Sequence, residues 1–153
     1  MSVLVIAVGR ARGPLAEAAA EYARRASHYW AVRVEEVREE SARSLTAAQV
    51  VAREGERLLA RVPAGATLVA CDERGEGWTS ERFSRWLAAE RDGGRDVAFA
   101  IGGAHGLAPA VRERARVRLA VAPWTLPHDL ARVVLAEQLY RAGTLARGEP
   151  YHK

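Results

Sequence analysis

Three short stretches of the chain carry residue types that could do chemistry. Ile101-Gly102-Gly103-Ala104-His105-Gly106-Leu107 places three glycines where an apolar run hands over to a helical pattern. Without side chains, such a turn lets a ligand approach the main chain closely. By itself a Gly-Gly turn after a strand is more often a tight connection than a site. It is no nucleotide fingerprint, because neither GxGxxG nor the GxxxxGK phosphate loop occurs anywhere in the chain.

Ala122-Pro123-Trp124-Thr125-Leu126-Pro127-His128 sets two prolines and an aromatic between a strand and a helix. The prolines stiffen the segment. Pro127 suits a first helical turn and Thr125 a cap, which leaves the preceding carbonyls and amides free to face a ligand. The competing reading is a loop that only orients the last helix. The C-terminal run Glu149-Pro150-Tyr151-His152-Lys153 carries an aromatic, an imidazole and the only lysine. Most chain ends are disordered, but an ordered one could stack Tyr151 on a base and exchange a proton through His152. His105 and His128 read as polar loop residues and His28 as a surface residue.

Other arrangements are missing from the sequence. There is no GxSxG, no HExxH and no Asp-rich metal loop, so a hydrolase is not expected. The single cysteine, Cys71, cannot form an internal bridge, and no CxxC or Cys/His spacing offers a zinc site. No metal is expected, and one cysteine fits a reducing cytoplasm. The opening MSVLVIAVGRARG has too short an apolar stretch for a signal peptide, and no run approaches the roughly 20 residues of a membrane helix. A soluble, cytoplasmic protein is expected.

The chain has 153 residues, 49% of them hydrophobic and 27% charged, which is the composition of one soluble domain spanning 1–153. Its net charge is +4, carried by arginines with Lys153 as the sole lysine. Arginine excess favours a polyanionic partner, since the planar fork binds phosphate and stacks on bases. A compositional bias toward Arg and Ala explains the same numbers without any partner.

The elements that must position these stretches follow from periodicity. Apolar runs at 3–8, 67–71 and 97–101 read as buried parallel strands, and 117–121 as a fifth. Residues 32–37 alternate Val with Arg and Glu, as an edge strand does. Helical spacing predicts helices over 14–28, from a Thr46 cap to about 60, after Thr79 or Ser80, over 107–115 and over 127–146. Strands alternating with helices give an α/β fold with a mostly parallel sheet and helices on both faces. Ligands of such sheets bind beyond the carboxyl ends of the strands, which singles out the turns after Cys71, Ile101 and Val121. The polar Asp72-Glu73-Arg74-Gly75 is expected to be a turn closing the third strand. In the last helix Leu130, Val133, Val134, Leu135, Leu139, Ala142 and Leu145 go round most of the circumference, so burial on all sides, by threading or against a second copy, is expected. Glu137 and Arg141 stand at the favourable i,i+4 spacing for an ion pair.

Four blocks together resemble a known family. Asp72-Glu73-Arg74-Gly75 with Thr79-Ser80, Ile101-Gly102-Gly103-x-x-Gly106-Leu107, the block from Thr125-Leu126-Pro127-His128 to Tyr140-Arg141-Ala142, and the end Pro150-Tyr151-His152-Lys153 are similar to the SPOUT-class ribosomal RNA methyltransferases that act on large-subunit (23S) pseudouridine. The resemblance runs over the whole chain. It implies a C-terminal deep trefoil knot, a rare exception to the rule against threading. It also implies a homodimer that uses S-adenosyl-L-methionine to methylate N3 of a pseudouridine in ribosomal RNA on the assembled ribosome. Carried over by motif, cofactor contacts fall at Cys71, Gly102 and Gly103, and along Ala122, Pro123, Trp124, Thr125, Leu126 and Pro127. The sequence departs from the family at Cys71, where Leu is common, and at Ala104-His105, where Pro-Glu is common.

For methyl transfer to an imide nitrogen, donor and acceptor must be aligned and a proton must leave. Arg132, Arg141, Tyr151 and His152 are the candidates for orienting the base and favouring its anion. A catalytically silent ribosome-binding module of the same fold, or a SPOUT enzyme with another RNA substrate, would show the same motifs.

Overall fold

Strands that are apolar at every position are stable only where helices cover both faces of the sheet. The computed structural model describes residues 1–153 and arranges them in that way. Ten elements alternate: β1 (Ser2–Val8), α1 (Gly13–Ala26), β2 (Ala31–Val37), α2 (Ala47–Arg61), β3 (Thr67–Gly77), α3 (Ser80–Asp92), β4 (Val97–Ile101), α4 (Pro109–Arg114), β5 (Val117–Ala120) and α5 (His128–Ala146). The strands form one sheet in the order β2-β1-β4-β3-β5, every pair parallel. The α/β class with helices on both faces is therefore as the periodicity predicts.

The pleat divides the core in two. Val3, Val5 and Ala7 of β1 point to the layer of α1, α3 and α5, meeting Trp30, Phe83, Leu135 and Leu139. Leu4, Ile6 and Val8 point to the layer of α2 and α4, meeting Leu58, Leu107 and Val111. Each such side chain, fully buried, stabilises the fold by about 1.5–3 kcal/mol, so the three inner strands carry most of the core. β2 lies at an edge, as its alternation predicts, and Val34 stands exposed there. Helix α2 opens with the expected capping box: Gln49 donates its amide to the Thr46 hydroxyl and its side chain accepts from the Thr46 amide. Thr79, not Ser80, caps α3.

Two expectations are corrected. Residues 72–75 do not end the third strand, since β3 continues to Gly77. Cys71 and Glu76 both pair with Leu119, so residues 72–75 bulge out of the ladder against edge strand β5. Gly75 permits this, because a Cβ there would stand 2.5 Å from the Arg118 carbonyl oxygen. Thr125 does not cap α5, whose N-cap is Pro127; the Thr125 hydroxyl instead donates to Glu73 at 2.5 Å. Helix α5 is not buried on all sides within one chain. Ala131, Leu135, Leu139 and Ala142 form its fully buried stripe, whereas Leu130, Val133, Val134 and Leu145 remain half-buried. No helix of the protein is long and apolar enough to cross a membrane.

Candidate active site

The bulge of β3, the glycine turn after β4 and the loop after β5 converge at the carboxyl edge of the sheet. Between them lies a cleft of about 480 Å³, within the roughly 300–1,000 Å³ usual for small-molecule sites. Of the residues carried over as cofactor contacts, Cys71, Gly102, Gly103, Ala122, Trp124, Thr125 and Leu126 line it. Pro123 and Pro127 do not. They are exposed.

Part of the cleft's main chain is unpaired. Gly103 pairs with Gly106 in an antiparallel bridge, but the amides of Ala104 and His105 donate to no acceptor within the protein, and neither do those of Ala122, Trp124, Thr125 and Leu126. Main-chain donors left open in a concave, partly apolar site must find partners in solvent or ligand. The turn that presents them is tightly built. Gly106 takes the left-handed region at φ +82, and a Cβ on Gly102 would stand 2.7 Å from the Gly106 carbonyl. Gly102 is thus required by the turn's own closure. Gly103 is set against the sheet, where a Cβ would meet Val8 at 3.0 Å and Glu54 at 3.3 Å.

Sequence reasoning missed the charged groups of the wall. Asp72 on the bulge accepts from Arg112 Nε of α4 at 2.7 Å and from the Arg74 amide at 3.1 Å. Burial pushes its carboxyl up, but those two donors outweigh it and hold it below the usual range. The pair fastens α4 to the bulge across 40 residues of sequence, a separation that leaves no local signal. Cys71 sits at the base of the bulge, and burial pushes its thiol up to about 12. As a neutral thiol it is a small apolar wall residue and not a nucleophile.

The residues predicted to act on the substrate lie elsewhere. Arg132 is buried on α5 and commits its fork to the carbonyls of Val8 at 2.8 Å and Gly9 at 2.6 Å, and to Glu36 at 2.6 Å. It clamps the chain where it leaves β1 and does not line the cleft. Arg141, Tyr151 and His152 come together in a separate cluster. Arg141 donates to Glu137 at 2.6 and 3.0 Å, as the i,i+4 spacing predicts, and contacts His152 Nδ1 at 3.1 Å. The Tyr151 hydroxyl donates to Glu137 at 3.1 Å, and its ring lies 4.6 Å from that of Tyr140. Burial, then the Glu137 charge, pushes the Tyr151 phenol up to about 12. His152 Nε2 contacts Glu81 at 2.8 Å. Arginine can only donate, so Nδ1 holds the lone pair and the ring proton sits on Nε2, facing Glu81. The tail is ordered, and none of these three residues borders its own chain's cleft.

With this geometry in view, the comparisons with known proteins define a class. A family model described as "Predicted SPOUT methyltransferase" matches residues 1–152. The chain belongs to the SPOUT methyltransferase family. Among curated relatives it is 58% identical over its whole length to the full-length "Ribosomal RNA large subunit methyltransferase H" of Gemmatimonas aurantiaca. It is 44% identical, over all of this chain and 99% of theirs, to the proteins of the same name from Burkholderia mallei and Burkholderia pseudomallei.

Proposed function

We propose that this chain is a single domain, residues 1–153, that methylates N3 of a pseudouridine in large-subunit ribosomal RNA, in the cytoplasm and on the assembled ribosome. The observation that carries the reading is the cleft with its unpaired amides at the switch between β3, β4 and β5, in a chain 58% identical to a relative named for this class of reaction. The donor set fits S-adenosyl-L-methionine: open amides on two loops for its polar edges, and Ile101, Leu107 and Leu126 as apolar walls. When bound, that cofactor supplies a methyl group already activated on a sulfonium. Gly102, Gly103 and the 122–127 loop hold and orient it through the main chain, with Cys71 as apolar floor. We take α5 and the loop before it to be threaded in the family's deep trefoil knot, which explains why Arg132 must lock the exit of β1 beside it.

The protein acts as a homodimer in this reading. Leu130, Val133 and Val134 are only half-buried in one chain, and a second groove of about 190 Å³ is lined by Val134 together with Trp78 and Leu119. Because the Arg141–Tyr151–His152 cluster lies off its own cleft, the tail of one subunit completes the cleft of the other. There Tyr151 stacks on the target base, and Arg141 favours its anion. His152 takes the leaving proton once its Nδ1 lone pair is freed from Arg141. Calorimetric titration with S-adenosyl-L-methionine, then methyl transfer to whole ribosomes against naked RNA, tests the function. Micromolar binding and transfer to ribosomes are expected; a chain with no affinity for the cofactor would be a silent ribosome-binding module instead.

A further inference from the structure

Trp124 is 78% exposed, far more than the other outward-facing large apolar side chains, Leu15 at 39% and Val34 at 51%. An indole left in water forgoes about 2 kcal/mol of burial, so a position that holds one there asks for an occupant. Its mount is rigid. Pro123 precedes it, Pro127 closes the loop, and the Thr125 hydroxyl ties the loop to Glu73 on the β3 bulge at 2.5 Å. The indole is thus held at the lip of the cleft, and its own amide has no acceptor within the protein.

Two cations lie on and under the β3 bulge to which that loop is tied. Arg74 is exposed, borders the cleft and makes neither ion pair nor side-chain hydrogen bond. Arg118 is exposed, and its Nε reaches only the Arg112 carbonyl, at 3.3 Å. Its main chain lies directly under the bulge at Gly75. The contrast with Arg112, neutralised by Asp72 in the same wall, is instructive. The inward guanidinium is paired with a carboxylate and the outward ones are not. A rigid aromatic plate next to a bulge that carries guanidiniums without carboxylate partners matches a single nucleic-acid strand, whose bases stack and whose phosphates carry the charge.

We propose that Trp124, Arg74 and Arg118 form an RNA-strand site at the mouth of the cleft. The indole stacks on an unpaired nucleobase neighbouring the one that enters, and the two arginines hold its flanking phosphates. This rests on the reading of the cleft as an RNA methyl-transfer site and adds the surface by which the strand is gripped. Stacking on one base is worth about 1–3 kcal/mol, which corresponds to roughly 5- to 150-fold in affinity.

The test compares Trp124→Ala, Trp124→Tyr and Arg74→Gln with the parent chain, using co-sedimentation with purified ribosomes and calorimetry with S-adenosyl-L-methionine. Trp124→Ala is expected to weaken ribosome binding at least 5-fold, and Trp124→Tyr to recover most of the loss. Arg74→Gln is expected to reduce the slope of log affinity against log salt by about 1. Unchanged ribosome binding in Trp124→Ala overturns the proposal. So does a 10-fold loss of cofactor affinity, which would put the indole on the cofactor, or dissociation of the dimer, which would put it on the partner subunit. A parent chain that binds ribosomes through Trp124 yet transfers no methyl group would sink the proposed function and leave this surface standing.

Discussion

The cleft and the C-terminal tail are built on opposite terms. In the cleft the main chain is held rigidly by Gly106, by the Asp72–Arg112 pair and by the Thr125–Glu73 bond, yet several amides it presents have no partners. In the tail, Tyr151 and His152 have partners for every polar side-chain atom: Glu137 for the phenol, and Arg141 and Glu81 for the two ring nitrogens. A preformed site with open donors binds without rearranging. A satisfied cluster must exchange partners before it can react. On the proposed function, that difference would give recognition of the cofactor to the cleft and action on the substrate, after a local rearrangement, to the tail.

Removing Tyr151, His152 and Lys153 is expected to have the largest effect on this comparison. It should cut methyl transfer by about 10²-fold or more, in the range of lost acid–base catalysis. Dimerisation and cofactor affinity should stay nearly unchanged. Single-turnover rates on ribosomes beside light scattering and calorimetry check it. Transfer at the intact rate would make the tail a docked end with no part in the reaction. Within the same experiment, His152→Ala should lower the rate more than it lowers ribosome binding, which phosphate contacts dominate.

Gly102→Val strikes the other region. A side chain at this position would fill the crevice from the main-chain side. The 2.7 Å approach to the Gly106 carbonyl means that it must also deform the turn. A loss of about 1–3 kcal/mol in denaturant unfolding is expected, together with a loss of cofactor affinity of more than 10-fold. Affinity retained in the folded variant would place the cofactor elsewhere.

A smaller effect is expected from alkaline pH. The Tyr151 phenol is raised in the docked tail to about 12 from an unfolded value near 10. Docking is therefore fully stabilised below pH of about 10 and loses that contribution as pH rises toward 12. Proteolysis of the tail, followed across that window, should accelerate in the parent chain and less steeply in Tyr151→Phe, where Tyr29, raised to about 12 by its bond to Glu149, still titrates. The smallest expected change is that of Cys71→Leu. It alters an apolar wall that offers main-chain contact, so cofactor affinity should move by less than about 1 kcal/mol and the thiol's absence should leave the rate intact.

Much of the scaffold was legible because it is local. The Thr46–Gln49 box, the Thr79 cap and the apolar runs of β1, β3 and β4 each declare themselves within a few residues. What escaped depends on pairs far apart in sequence. The β3 bulge exists because Cys71 and Glu76 share Leu119, and no pattern within 67–77 reports that partner. Thr125 reads as a cap until Glu73, 52 residues earlier, is seen to take its hydroxyl. Arg132 reads as a substrate contact until the carbonyls of Val8 and Gly9, more than 120 residues away, are found in its fork. The three turns that meet at the cleft were legible from the α/β rule, but the order of the wall's charges was not.

The most direct test of a centre built from two copies is a mixed dimer. One chain would carry Ala122→Tyr, which fills the cleft away from the glycine turn, and the other would lack residues 151–153. Each homodimer alone should be inactive. If the tail works across the interface, the heterodimer has one complete centre, made of the truncated chain's cleft and the partner's tail, and random exchange of subunits should restore roughly a quarter of the parental rate. No restored activity, with heterodimers present, would contradict this and place tail and cleft in the same chain.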